Sequence, residues 1–102
     1  MELRYRNVET EQDRAAPFFK MQEQGLLSSA MSCIDSPKLE RWLEITARGV
    51  LLLCEDEQGE SLGCGHFTPF RGQVWEFDFT AFREAFHIAP KMARRSEERR
   101  VG

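Results

Sequence analysis

Three short apolar runs between Val50 and Thr80 constrain this chain more than any other feature of it. The first, Val50-Leu51-Leu52-Leu53-Cys54, breaks into the polar turn Glu55-Asp56-Glu57-Gln58-Gly59-Glu60. The second, Ser61-Leu62-Gly63-Cys64-Gly65-His66-Phe67, is closed by Pro69-Phe70-Arg71-Gly72. The third, Val74-Trp75-Glu76-Phe77-Asp78-Phe79-Thr80, alternates. Successive side chains of a strand point to opposite faces, so Trp75, Phe77 and Phe79 share one face and Glu76, Asp78 and Thr80 the other. Runs of this length, parted by glycine-containing turns, predict an antiparallel meander. From Phe82 to Ala89 the period changes, and a helix starts.

The residues before the meander supply one strand and two helices. Leu3 to Val8 alternates, with Leu3, Tyr5 and Asn7 on one side. Thr10, three residues before Asp13, forms a near capping box and opens a helix that Gly25 ends. Pro17 lacks an N–H and crowds the preceding turn, so that helix either starts nearer Ala16-Pro17 or is kinked. Leu27 to Asp35, rich in small residues and without a period, reads as a connecting loop. Ser36-Pro37 is a start signal, Ser at the N-cap and Pro at the first helical position. The helix it opens turns Leu39, Trp42, Leu43, Ile45 and Thr46 inward and Lys38, Glu40, Arg41, Glu44 and Arg48 to water; Gly49 closes it at C′. The order β-α-α-β-β-β-α makes an α/β (α+β) fold with a mainly antiparallel sheet.

A chain of 102 residues supports one modest core. No apolar run approaches the roughly 18 residues of a membrane helix, and Met1-Glu2-Leu3-Arg4-Tyr5-Arg6 has no signal-peptide character. Cys33, Cys54 and Cys64 are odd in number and lack paired spacing, so they read as free thiols of a cytoplasmic protein. A net charge of −3 argues against a nucleic-acid partner. The sequence divides into one domain, 1–94, and a charged tail, 95–102. The tail's three arginines and two glutamates show no apolar period, which suits a solvated helix end.

The meander and its exit carry a resemblance. Leu51-Leu52-Leu53-Cys54-Glu55 and Gly63-Cys64-Gly65-His66-Phe67 look like the second and third strands of the GNAT acetyltransferase fold. Glu76-Phe77-Asp78-Phe79-Thr80-Ala81-Phe82-Arg83-Glu84-Ala85-Phe86 looks like its fourth strand and the turn into its third helix. The chain thus resembles the N-terminal half of that fold, nearest its phage-associated branch. The resemblance implies a parent enzyme that transfers acetyl from acetyl-CoA to an amine. It implies a carboxylate of the fourth strand, Glu76 or Asp78, as general base for the acceptor. It puts the acetyl-CoA pyrophosphate on backbone N–H groups at the turn and helix start, where the dipole is positive. Phe79, Thr80, Arg83, Phe86, His87, Ile88 and Ala89 are the matching cofactor residues. Arg83 fits the family's Arg/Gln-x-x-Gly-x-Gly/Ala pattern, but Phe86 and Ile88 stand where it has glycines.

Further strands and a helix complete the site in that family. Arg95-Ser96-Glu97-Glu98-Arg99-Arg100-Val101-Gly102 looks like the in-frame translation of a sequencing-library adapter, with a natural Arg/Glu-rich tail as the alternative. The expectation is therefore a truncated, inactive fragment that self-associates through its exposed strand 74–80. Against it stands a small non-catalytic α+β structural or interaction protein, also phage-encoded.

The plainer readings of single residues stand beside these. Glu76 and Asp78 would be the solvent side of a half-buried strand. Cys54, Cys64 and His66 lack the paired spacings of a zinc site, and the cysteines read as core residues, so no metal is expected. A Cys-His nucleophile has no better support. His87 reads as an exposed helical histidine, and Gly63 and Gly65 mark a bulge or a close approach of another backbone.

Overall fold

The computed structural model describes residues 2–31, 38–71 and 74–101. Four strands, β1 (Arg4–Val8), β2 (Val50–Glu55), β3 (Ser61–Arg71) and β4 (Val74–Ala81), form one antiparallel sheet in the order β1-β2-β3-β4. Three helices, α1 (Glu11–Glu23), α2 (Leu27–Ala30) and α3 (Leu39–Thr46), cover one face. A 3-10 turn (Arg83–Ile88) and α4 (Ala89–Val101) cover the other.

The strand alternation sorts the core into these two layers. Leu51 and Leu53 of β2 join Val8, Phe18, Met21, Trp42 and Phe82 beneath α1–α3. Cys54 joins Leu62, Ala85 and Met92 of α4 on the other face, with Leu3, Tyr5, Phe79 and Ile88 packed alongside. Leu62 and Cys64 are two residues apart yet lie in different layers. A bulge is the cause: Cys54 pairs with Gly63 but Glu55 with Ser61, which leaves Leu62 as the extra residue and flips its side.

Helix α1 starts where the capping box put it, with Thr10 Oγ1 accepting from the Asp13 N–H at 3.1 Å. It runs through Pro17 to Glu23, so a start near Ala16-Pro17 is corrected; the buried Pro17 ring packs in place of the lost hydrogen bond. Gly25, at φ +70°, follows the cap residue Gln24 and ends the helix. Leu27–Ala30, expected as loop, is a one-turn helix that Leu26, Leu27 and Ala30 anchor to the core. Ser36 and Pro37 lie outside the described residues. Lys38 is the N-cap of α3 and makes no side-chain cap bond. Its inward and outward residues are as expected, but its cap is Ala47, two residues before Gly49. Gly49 instead takes φ +135° at the turn into β2, where a Cβ would sit 2.0 Å from the Phe67 carbonyl oxygen.

Strand β3 outruns its expected end at Phe67. Pro69 is tolerated because β2 pairs only as far as Phe67, so no β2 residue asks for its missing N–H. The helix expected from Phe82 is a 3-10 turn broken at Ala85 (φ −124°), and regular helix begins only at Ala89. Pro90 falls in its first turn, where a missing N–H costs nothing. The helix does not stop at Arg94. It runs to Val101, and Ser96 is buried, its Oγ donating to the Met92 carbonyl at 2.9 Å.

Candidate functional site

The sheet face under α2 and α3 holds a pocket of about 140 Å³. Ala30, Met31, Trp42 and Ile45 form its helical wall. Its floor is polar: Cys64 and His66 from β3, and opposite them in register Thr80 and Asp78 from β4. Alternation creates this floor. The residues between them, Gly65 and Phe79, also pair with one another but face the α4 layer.

His66 is the unusual member. It is 7% exposed, its Nδ1 lies 3.2 Å from Thr68 Oγ1, and its Nε2 has no hydrogen-bond partner among the described residues. Burial lowers its pKa below the ordinary histidine value, although the Asp78 carboxylate pulls the other way. The ring is therefore neutral at pH 7. Burial pushes the Cys64 thiol up to about 12, which removes it as a nucleophile at neutral pH. Cys54 and Cys64 are free thiols in opposite core layers. Among the described residues no group of three or more His, Cys, Asp or Glu could hold a metal ion.

Of the expected catalytic pair, Asp78 lines the pocket, at an exposed position; Glu76, two residues along, is exposed and is no part of the lining. The expected cofactor residues scatter. Thr80 lines the pocket, Phe79 and Ile88 pack beneath α4, and Ala89 is the first residue of that helix. Arg83, Phe86 and His87 are exposed, with the Arg83 guanidinium 6.0 Å from the centre of the Phe86 ring.

The turn at Arg83 is already occupied by the protein itself. The Arg83 N–H donates to Gln24 Oε1 at 2.8 Å, and the Ala85 N–H donates to the Phe82 carbonyl. Arg83 Nε donates to the Gln24 carbonyl at 2.7 Å, and Gln24 Nε2 donates to Glu84 Oε2 at 2.8 Å. Glu84 also pairs with Lys20, whose ammonium reaches Glu60 and the Ser61 carbonyl. Burial is the largest single influence on Lys20 and Glu84 and opposes both charges. Their mutual hydrogen bond, the further bonds from Glu60 and Gln24 and the attraction of the opposite charges together exceed it, raising the Lys20 pKa and lowering that of Glu84. A pyrophosphate needs free amides, a close approach and a positive field. This turn offers a capped amide, a carboxylate and the half-exposed Phe86 ring, and does not fit the group.

The spacing of His66 fits neither a metal site nor a nucleophile pair, so the sequence alone does not mark it as functional. Its signal is a position in phase with Cys64, on a strand paired to Asp78 and Thr80. What the spacing lacked was the identity of the covering wall, which comes from α2 and α3.

No protein-family model matches this sequence, and no curated protein matches it. Among solved structures, one described as "Crystal structure of a putative phosphinothricin N-acetyltransferase" is similar over 90% of this chain and 67% of its own, with a TM-score of 0.51 and 17% identity. At that identity the likeness is one of fold. It bears out the α+β architecture with a GNAT-like order of strands and helices.

Proposed function

We propose that this chain is the N-terminal portion of a GNAT-like N-acetyltransferase, that it carries the acceptor side of the site, and that alone it transfers no acetyl group. The observation that supports this best is the pocket under α2 and α3, where a carboxylate and a neutral imidazole meet an apolar wall in a fold of that kind. In the parent the reaction moves acetyl from acetyl-CoA to an amine. Asp78 is the carboxylate placed to hold an acceptor ammonium and to take its proton, directly or through water; Glu76 is too far along the strand to line the pocket. No step is assigned to residues 83–89, whose geometry suits an internal clasp between α1 and the exit of β4. That clasp also favours a second reading, a non-catalytic α+β interaction module. The two buried free cysteines suit a reducing compartment, and we place the protein in the cytoplasm.

Titration calorimetry with acetyl-CoA tests the activity. The expected result is no saturable binding in the micromolar range and no thiol release with any amine. Micromolar binding by this chain would overturn the reading of the turn. Sequencing the gene past codon 94 separates the two functions: further strand and helix support the transferase, a stop supports the module.

A further inference from the structure

The pocket under α2 and α3 has a chemistry that goes beyond an unspecified amine. It is small: an apolar cavity of roughly 150 Å³ takes a benzene-sized molecule, and this one measures about 140 Å³. Its wall of Met31, Trp42 and Ile45 is apolar. Among the described lining residues Asp78 is the charged one, and neither Lys nor Arg is present. His66 leaves a polar atom unsatisfied at the floor, and an unpaired buried polar atom is costly until something pairs with it.

We infer that this pocket is a subsite for a compact primary monoamine with an uncharged apolar body, its ammonium shared between the Asp78 carboxylate and His66 Nε2. Such a contact requires the tautomer in which Nδ1–H donates to Thr68 Oγ1, 3.2 Å away, which leaves Nε2 with a lone pair that accepts from the ligand. Burial keeps the ring uncharged, so it does not repel a cation. Amines that carry a carboxylate are refused, because no cationic side chain among the described lining residues pairs with it and Asp78 repels it. Polyamines are refused for their length and their second charge, which would lie against the apolar wall. His66 is here a positioning residue. This inference deepens the proposed function and rests on its placing of the acceptor at this pocket.

The test needs no acetyl-CoA, so it stands or falls apart from transfer. Isopentylamine, leucine and 3-methylbutan-1-ol share one apolar body and differ in charge. Each is titrated into the intact chain while the His66 imidazole and the Met31 and Ile45 methyls are followed by NMR. Isopentylamine is expected to shift all three in one saturable process, with leucine and the alcohol at least tenfold weaker. Asp78→Asn, at an exposed position and expected to fold normally, should erase the preference of amine over alcohol. His66→Gln should weaken the amine more than the alcohol, since the charged donor makes the stronger bond to Nε2. Equal affinity for amine and alcohol, a preference that survives Asp78→Asn, or shifts confined to residues outside the pocket would each overturn the inference. Tight amine binding without acetyl transfer by a longer form of the protein would keep the subsite and remove the transferase.

Discussion

Arg14 is a charged side chain at 8% exposure, held by the end of a neighbouring helix. Its guanidinium donates to the Leu43 carbonyl at 2.7 Å and to Thr46 Oγ1 at 3.0 Å, while its own carbonyl accepts from Trp42 Nε1 at 2.7 Å. The last carbonyls of a helix have no partner within it and carry partial negative charge, which suits a cation. Arg14→Met keeps the stem and removes these bonds, and should cost about 2 kcal/mol in chemical denaturation, as hydrogen bonds to a charged group usually do. Gly65 is held to glycine by contact rather than by its backbone. A Cβ there would stand 2.7 Å from the Phe77 ring, which itself stacks on Phe67 at a centroid distance of 4.4 Å. Gly65→Ala should therefore destabilise by about 1–3 kcal/mol, the usual cost of overpacking, and a neutral result would mean the ring has room to move. His66 gives the fold a pH dependence. Its folded pKa is depressed, so the unfolded chain binds a proton that the folded chain refuses, and stability falls as pH drops through the ordinary histidine value of 6.5. Asp78 and Cys64 are the other titratable groups among the described lining residues, and Cys64, at about 12, stays protonated throughout. The urea midpoint should decline between pH 7 and 5.5 in the wild type and less so in His66→Leu.

At the scale of elements, α4 decides how much of the chain is structural. Met92 on its inner face is fully buried and Ser96, one turn further on, nearly so. Deleting residues from Ser96 onward removes that turn and uncovers Met92. Loss of buried contacts of this kind should cost on the order of 1 kcal/mol, where a solvated tail would cost less than about 0.5 kcal/mol. An unchanged melting temperature would show that the packed element ends at Met92, and would leave an adapter origin for 95–102 the simpler account. The exit of β4 behaves as a clasp. Gln24 and Lys20 of α1 hold Arg83 and Glu84, so the turn is fixed to the opposite layer by hydrogen bonds where the resemblance led one to expect amides open to an anion.

For the molecule as a whole, the sheet order leaves the outer edges of β1 and β4 without a strand partner among the described residues. β1 is short and carries Arg4 and Arg6, which discourages pairing; β4 is eight residues long and meets α4 on one face. We propose that two copies associate through β4 at high concentration. Light scattering coupled to size exclusion should show a mass that rises with loading, and hydrogen exchange of the 74–80 amides should slow in parallel. A constant monomer mass would mean that the edge is covered.

The sequence by itself determined what depends on neighbours along the chain. The apolar runs from Val50 to Thr80 gave three strands and alternation the faces of the third, Thr10 fixed the start of α1, and the one-sided pattern of Leu39 to Thr46 fixed which side of α3 is buried. These are local steric and solvation preferences, and they are written residue by residue. Only the tertiary structure decided the rest. The bulge at Leu62 is a mismatch between two strands: Gly63 and Gly65 marked a bulge or a close approach nearby, but which residue is extra depends on the partner strand. The role of Gln24 as cap of Arg83 joins residues 59 positions apart, and the turn of Leu27–Ala30 forms because the core beneath it accepts Leu26 and Leu27. The candidate site divides the same way. The face of Asp78 was legible from alternation and its part in a site only from the resemblance, whereas His66 owes its lowered pKa and its unpartnered Nε2 to burial under α2 and α3. No spacing along β3 could encode that burial, because it is a property of what packs on the strand.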